Sequence, residues 1–364
     1  MKLSLITSLI EDFSPISLQE SYDNAGLLTG NDDMEISSAL LCLDITEEVI
    51  EEAIEAGNNL IISHHPLVFK GLKKFNGSNM VERCLIKAIK NDIAIYSAHT
   101  NIDSVINGVS AKMSEKLNLK NTKILAPTKG NLKKLICYCP KEQSDKVREA
   151  IFSAGAGEIG NYSNCSYNIE GKGSFKANEK ANPFVGKIGD IHFEEEIRIE
   201  TIVAEHRLQQ TISAMTDAHP YEEVAYDIMQ TENINPNIGF GMIGELEEAM
   251  DTKEFLQSLK TIFDCTHFKH SKIVKEQIKS VALCGGSGSF LINKALSKKA
   301  DIYITGDIKY HDYFTTEDKI ILADIGHYES EQFTKEIFYE LVTKKLPTFA
   351  VRFSKVNTNP INYI

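Results

Sequence analysis

The chain has 364 residues, 42% of them hydrophobic and 25% charged, with 39 Lys and Arg against 51 Asp and Glu and a formal net charge of −12. That length predicts two to three domains of roughly 150 residues, and an acidic chain with no opposing Lys/Arg block argues against a protein that coats nucleic acid. No stretch approaches the ~20 apolar residues of a membrane span, and the seven cysteines are scattered without a Cys-x-x-Cys pair, which excludes a disulfide scaffold or a cysteine zinc ribbon and points to a reducing cytoplasm.

Leu3 to Ile10 is apolar, but one lysine precedes it, Glu11 and Asp12 follow, and no small-residue cleavage site is present. It reads as an amphipathic helix and not as a signal peptide. Ala39 to Leu43 is a strand ending at Asp44. Thr46 then supplies a cap oxygen, Glu47 and Glu48 suit the first turn, and Gly57 ends the helix. Leu60 to Ile62 runs into Ser63-His64-His65-Pro66. A helix from about Met80 to Asn91 leads to the strand Ile93 to Tyr96 and then to Ala98-His-Thr-Asn-Ile-Asp103. Strands that are apolar throughout and alternate with helices predict a buried parallel sheet with helices on its faces.

The middle of the chain has another order. Lys133 to Cys139 is a strand and Glu142 to Ala154 a helix. Two strand-like stretches flank the Gly/Asn-rich 171–189, Glu205 to Thr216 is a helix, and Val224 to Met229 a strand. This β-α-β-β-α-β order is the ferredoxin-like arrangement. The last segment returns to the first grammar. Val281 to Cys284 ends in Gly285 to Ser289, Asp301 to Ile304 ends in Thr305-Gly-Asp307, and Ile320 to Ala323 ends in Asp324-Ile-Gly-His327, before a helix from about Tyr328 to Val342. The expected division is therefore 1–127, an inserted 128–237, and 238–364. The outer segments form α/β halves of one composite domain or two facing lobes.

In open α/β sheets ligands bind beyond the carboxyl ends of the strands, and His64, His65, Asp103 and His327 each lie a few residues past such an end. Adjacent residues within a strand face opposite ways, so His64 and His65 can converge only in the turn that Pro66 constrains. Glu331, four residues after His327, shares its helix face. Three imidazoles and two carboxylates near one point form a ligand set for one or two divalent ions, a carboxylate such as Asp103 being able to bridge a pair. His99 and Asp44 end neighbouring strands and are candidates to orient ligands or move protons, with a purely structural role as the alternative. Asp307 and His311, one helical turn apart after a strand, are candidates either to support the ligands from behind or to face the substrate. Gly285 to Ser289 is either a phosphate cradle or, the safer reading without a P-loop lysine, a tight turn. His219, near Glu222 and Glu223, offers a second metal site or a subunit contact, and Cys137 and Cys139 read as packing residues.

The strings Tyr22-Asp-Asn-Ala-Gly-Leu27, Ser63-His-His-Pro-Leu-Val-Phe69, Ala98-His-Thr-Asn-Ile-Asp103, Ile304-Thr-Gly-Asp-Ile-Lys-Tyr-His311 and Asp324-Ile-Gly-His-Tyr-Glu-Ser-Glu331 together resemble the signature blocks of the NIF-three-like dinuclear metal family, catalogued as GTP cyclohydrolase 1 type 2 homologues. Tyr22 stands where many members carry tryptophan. The resemblance implies His64, His65, Asp103, His327 and Glu331 as ligands of two divalent ions (zinc, iron, manganese or cobalt), with Asp103 bridging, in a ring-shaped homohexamer. The middle segment is similar to the PII/CutA-like insert of longer members. The expected function is a cytoplasmic metal-dependent hydrolase acting on a nucleotide or phosphoester small molecule, with His99 as the proton shuttle. The alternative is a non-enzymatic metal-binding interaction or regulatory protein assembled as a ring. Membrane and nucleic-acid partners are not expected.

Overall fold

Short apolar runs become the central strands. Ser38–Cys42, Leu60–Ser63 and Ala94–Ser97 are buried at every position, as strands covered on both faces must be. The computed structural model describes residues 1–363, which divide into two compact units, 1–127 with 237–364, and 128–236.

In the first unit one sheet has the order Gly26–Thr29, Ala94–Ser97, Leu60–Ser63, Ser38–Cys42 and Ala350–Phe353. Its strands run parallel apart from Gly26–Thr29, which pairs antiparallel at the edge. The expected parallel sheet is thus a parallel core with one reversed edge strand. Alternate residues serve opposite faces. Leu41, Ile62 and Tyr96 pack with Leu3, Ile6 and Phe338, whereas Leu40, Ile61 and Ile95 pack with Ile50, Cys84 and Leu85. Thr46 and Asn79 cap the helices Glu47–Glu55 and Met80–Lys90 through side-chain oxygens that accept from Val49 and Glu82 amides.

The second sheet of this unit has the order Lys269–His270, Ile321–Asp324, Ile302–Gly306, Gln277–Ser287, Ile234–Asp251 and Lys120–Lys129. Its central three strands are parallel. Two segments cross between the halves: Lys120–Lys129 joins the second sheet, and the C-terminal Ala350–Phe353 returns to the first.

The single helix expected over 328–342 is two, His327–Glu331 and Thr334–Lys345. The Thr334 hydroxyl donates to the Glu331 carbonyl at 2.7 Å, satisfying an acceptor at the end of the first helix. The break has a packing reason. His327–Glu331 lies against the glycine-rich ends of the second sheet, with Gly306 and Gly286 leaving room for it, whereas Ile337, Phe338 and Val342 of the longer helix complete the core of the first sheet.

The second unit has strands Leu132–Pro140, Ser166–Lys176, Ile191–Ala204 and Tyr226–Gln230, with helices Ser144–Ser153 after the first and Leu208–Ala218 before the last. The sheet is antiparallel, in the order second, third, first, fourth. Cys137 and Cys139 pack in its core with Val147, Ile151 and Met215. Among the described residues no helix is long and apolar enough to cross a membrane.

Candidate metal centre

Parallel register brings the chemistry to one edge. Cys42 pairs with Ser63 and Ser63 with Ser97, so Asp44, His64, His65 and His99 all emerge at the carboxyl end of the first sheet. The His64 amide donates to the Cys42 carbonyl at 3.3 Å and the His65 amide to that of Leu43 at 2.9 Å, while the Ser63 hydroxyl donates to the His65 carbonyl at 2.9 Å. The pair lies just beyond the strand, where both rings can face one way, and their centroids are 4.8 Å apart. In the second sheet Thr305 pairs with Asp324, which places Asp307 and the start of the His327 helix at its carboxyl end.

There the side chains converge. Glu331 Oε2 lies 3.0 Å from both His65 Nε2 and His327 Nε2, and those two nitrogens are 3.3 Å apart. Glu331 Oε1 is 3.6 Å and Asp103 Oδ1 3.8 Å from His64 Nε2. The His99 ring is 5.3 Å from those of His64 and His65. Among the described residues three groups could hold a cation: His64, His65 and His99; His65, His327 and Glu331; His64, Asp103 and Glu331.

Every imidazole is held from behind at Nδ1. His64 Nδ1 is 2.9 Å from the Ala98 carbonyl, which can only accept, so this nitrogen donates and Nε2 is the one that faces the cluster. His65 Nδ1 is 2.7 Å from Asp44, His99 Nδ1 2.8 Å from Asp23, and His327 Nδ1 2.7 Å from Asp307. A carboxylate or carbonyl behind a histidine is the arrangement that fixes the tautomer of metal-bound imidazoles.

The front of the cluster is left wanting. His64 Nε2, Asp103 Oδ1 and Glu331 Oε2 are buried and make no well-aligned hydrogen bond, a state that costs about 1–3 kcal/mol for each buried polar atom. Burial works against charge on His65, yet the Asp44 and Glu331 carboxylates outweigh it and push its pKa up to about 10. His327 is likewise pushed up to about 9 against its burial, chiefly by Glu331 and Asp307. Burial and the charge of Glu331 push Asp103 well above the usual carboxylate range. Burial also opposes ionisation of Glu331, but His64 and His327 hold it well below that range. Without a cation the cluster must carry extra protons at nitrogens 3.3 Å apart. A divalent ion would replace those protons and satisfy the orphaned atoms, so the donor set fits a metal.

Of the residues named from the sequence, His64, His65, His99, Asp103, His327 and Glu331 meet at this point, and Asp44 and Asp307 stand behind two of the rings. His311 does not join them; its ring packs with Tyr310 and Phe314. His219 belongs to no cluster among the described residues; both its nitrogens face backbone, Nε2 at 3.0 Å from the Tyr138 carbonyl and Nδ1 at 3.1 Å from the Tyr221 amide. Gly285 to Ser289 is a turn and not a cradle. The Gly286 amide donates to the Ser330 hydroxyl and the Gly288 amide to that of Thr305, each at 2.9 Å.

Sequence reasoning missed three contributors. Asp23 orients His99 and also accepts from the Thr100 hydroxyl and amide; its place in the Tyr22–Leu27 block was its only signal. The Thr358 hydroxyl donates to Asp44 at 2.7 Å from the far end of the chain. Gly286, at φ +61°, stands where a Cβ would come within 2.2 Å of Glu331 Oε1.

A cavity of about 1010 Å³ opens on the cluster, and a second of about 630 Å³ shares Asp44, His65 and His327 with it.

A sequence model of the family described as Duf34/NIF3 (NGG1p interacting factor 3) matches residues 1–360. A Halalkalibacterium halodurans protein named GTP cyclohydrolase 1 type 2 homolog is 41% identical over 99% of this chain and 98% of its own length, and a Bacillus subtilis protein of the same name is 39% identical over 99% and 98%. Among solved structures, a Bacillus cereus protein related to NIF3 superposes with a TM-score of 0.87 at 36% identity, covering 100% of this chain and 99% of that one. Staphylococcus aureus protein SA1388 follows at 0.77 and 28%, with the same coverage.

Proposed function

The chain belongs to the Duf34/NIF3 family, and we propose that it is a divalent-metal protein acting as a hydrolase on a nucleotide or phosphoester small molecule. One observation carries this reading: four imidazoles, each anchored at Nδ1, surround buried polar atoms that make no well-aligned hydrogen bond. His64, Asp103 and Glu331 would hold one ion and His65, His327 and Glu331 a second. The two groups share Glu331, where the family resemblance implies Asp103 as the bridge, and together they support two ions per chain. Mixed imidazole and carboxylate donors suit zinc, iron, manganese or cobalt.

When bound, such a pair supplies Lewis acidity and lowers the pKa of water. The protein's own residues supply orientation and proton handling. Asp44 and Asp307 fix the rings of His65 and His327. Asp23, held well below the carboxylate range by His99 and Thr100 against its burial, anchors His99 at Nδ1 and fixes the orientation of that ring, which borders the cavity in position to move a proton. Assembly as a ring-shaped homohexamer belongs to the same reading and is supported by the family resemblance. Native mass spectrometry giving six chains is the expected result.

The test is metal-dependent hydrolysis of a panel of phosphoesters and nucleotides by the metal-loaded chain, beside His64→Ala. Turnover that requires metal and disappears in the variant is expected. Metal and ligand binding without turnover of any compound would replace the hydrolase with the non-enzymatic alternative.

A further inference from the structure

The larger cavity has two unlike parts. One is the cluster itself, through His65, His99, Asp103, His327 and Glu331. The other is mostly apolar and includes Tyr22, Leu67, Phe69, Phe240 and Phe290. Tyr22, Phe69 and Phe290 are each at least half exposed, at 68%, 50% and 64%. A single exposed aromatic side chain needs no explanation, but several on the wall of one cavity beside a metal-type cluster mark a binding surface. Two of them are braced from the side. Phe69 packs edge-on to His99 at 5.6 Å, and Phe290 edge-on to Phe240 at 5.9 Å.

The charge of the lining is one-sided. It contains no Lys or Arg, its carboxylates are Glu20, Asp44, Asp103 and Glu331, and its imidazoles, His65, His99 and His327, all belong to the cluster. The glycine-rich turn is a poor substitute, because its Gly286 and Gly288 amides are already spent on Ser330 and Thr305. Polyphosphate sites use Lys, Arg or free amides of helix starts and glycine loops to offset charge that metal ions leave over. Here the metal centre could offset one phosphoryl group. Any further phosphate would lie in an apolar cavity beside Glu20, where desolvation and like charge both count against it. Space is not the obstacle, since about 1010 Å³ is at the upper end of small-molecule sites.

We propose that this cavity takes a compound with one phosphoryl group and one planar aromatic ring, such as a nucleoside monophosphate or an aryl phosphate, and discriminates against nucleoside triphosphates. The phosphoryl group faces the metal centre and the ring lies against Tyr22, Phe69 and Phe290. The inference rests on the metal-centre reading above.

Binding to the metal-loaded full chain, measured by calorimetry, tests it with four probes: guanosine 5′-monophosphate, phenyl phosphate, inorganic phosphate and the imido analogue of guanosine triphosphate. The two ring-bearing monophosphates should bind at least about tenfold tighter than inorganic phosphate and than the triphosphate analogue, about what one well-placed aromatic contact supplies. Phe69→Ala and Phe290→Ala should each weaken the ring-bearing monophosphates several-fold and leave inorganic phosphate unchanged, with metal content checked by elemental analysis. Glu20→Lys should raise affinity for the triphosphate analogue more than for the monophosphate. A triphosphate that binds as tightly as the monophosphate in the wild type, or ring-bearing ligands indifferent to both phenylalanines, overturns the inference. So does a lack of binding by any probe. Ring-selective binding without turnover keeps this inference and removes the hydrolase, whereas turnover with the triphosphate bound tightest does the reverse.

Discussion

The two units use the same residue types to opposite ends. In the unit formed by 1–127 and 237–364, four histidines are held at Nδ1, and the buried polar atoms between them, His64 Nε2, Asp103 Oδ1 and Glu331 Oε2, make no well-aligned hydrogen bond. In the unit 128–236, His219 has a backbone partner at each nitrogen and burial lowers its pKa, the Tyr138 carbonyl only partly opposing it. Cys137 and Cys139 sit in a hydrophobic core where burial pushes both thiols up to about 12. His206 Nδ1 is buried without a partner too, but it belongs to no cluster of three ligand-type groups among the described residues. A candidate metal site is thus distinguished by several unsatisfied donors aimed at one point, and not by its histidine count.

The sharpest way to break that comparison is Glu331→Gln. The amide keeps the shape and loses the charge at the point where both ligand groups meet, so metal affinity should fall by more than the about 10- to 100-fold typical of supporting residues; calorimetric titration with zinc or manganese checks it. Glu329→Gln serves as the companion. Glu329 is buried and accepts from Asn359 at 2.9 Å, apart from the three ligand groups, so metal stoichiometry should stay as in the wild type.

Next come the groups behind the rings. Asp44→Asn and Asp307→Asn should each lower metal affinity by about 10- to 100-fold through a misoriented imidazole, with Asp44→Asn also freeing Thr358. Equilibrium dialysis against a chelator resolves changes of that size.

The pH dependence should differ between metal-free and metal-loaded protein. His65 and His327 bind protons more tightly folded than unfolded, so in the metal-free state their stabilisation is complete below about pH 6.5. It is lost as pH rises through about 9 for His327 and about 10 for His65. A metal ion must displace those protons, so its affinity rises over the same interval. Thermal unfolding with and without chelator should show a gap that widens from pH 6.5 to 9. A gap constant with pH would mean that neither ring changes protonation on binding.

The smallest expected effects lie in the other unit. His219→Gln should cost about 1–3 kcal/mol of that unit's stability by leaving a backbone group unpaired and leave metal content unchanged. Replacing 128–236 with a short Gly/Ser linker should yield a folded remainder with unaltered metal stoichiometry, as excision at a unit boundary allows. An insoluble or metal-free product would make the insert part of the core. Circular dichroism and elemental analysis decide both.

Much of this was legible because the signals are local. Apolar runs ending at Asp44, Ser63 and Asp324, the Thr46 cap and the His-His-Pro turn each follow from a few neighbouring residues, and the rule that ligands gather at carboxyl ends of strands then selects the histidines. The helix over 328–342 failed as one element because periodicity does not reveal that its two parts pack on different sheets. The position of His311 could not be read either, because a residue near a strand end can still turn away from the cluster, as its ring does toward Tyr310 and Phe314.

The sequence alone determined the residue types of the centre and the strand ends that carry them, since composition, capping and burial periodicity act over a few residues. The tertiary structure decided everything that depends on residues far apart. It closed Thr358 onto Asp44 across 314 positions and set Glu331 between His65 and His327. It also sent Ala350–Phe353 back beside Ser38–Cys42. Orphaned acceptors and an apolar cavity without a cation are properties of packing, because whether a polar atom is satisfied depends on every chain segment that reaches it.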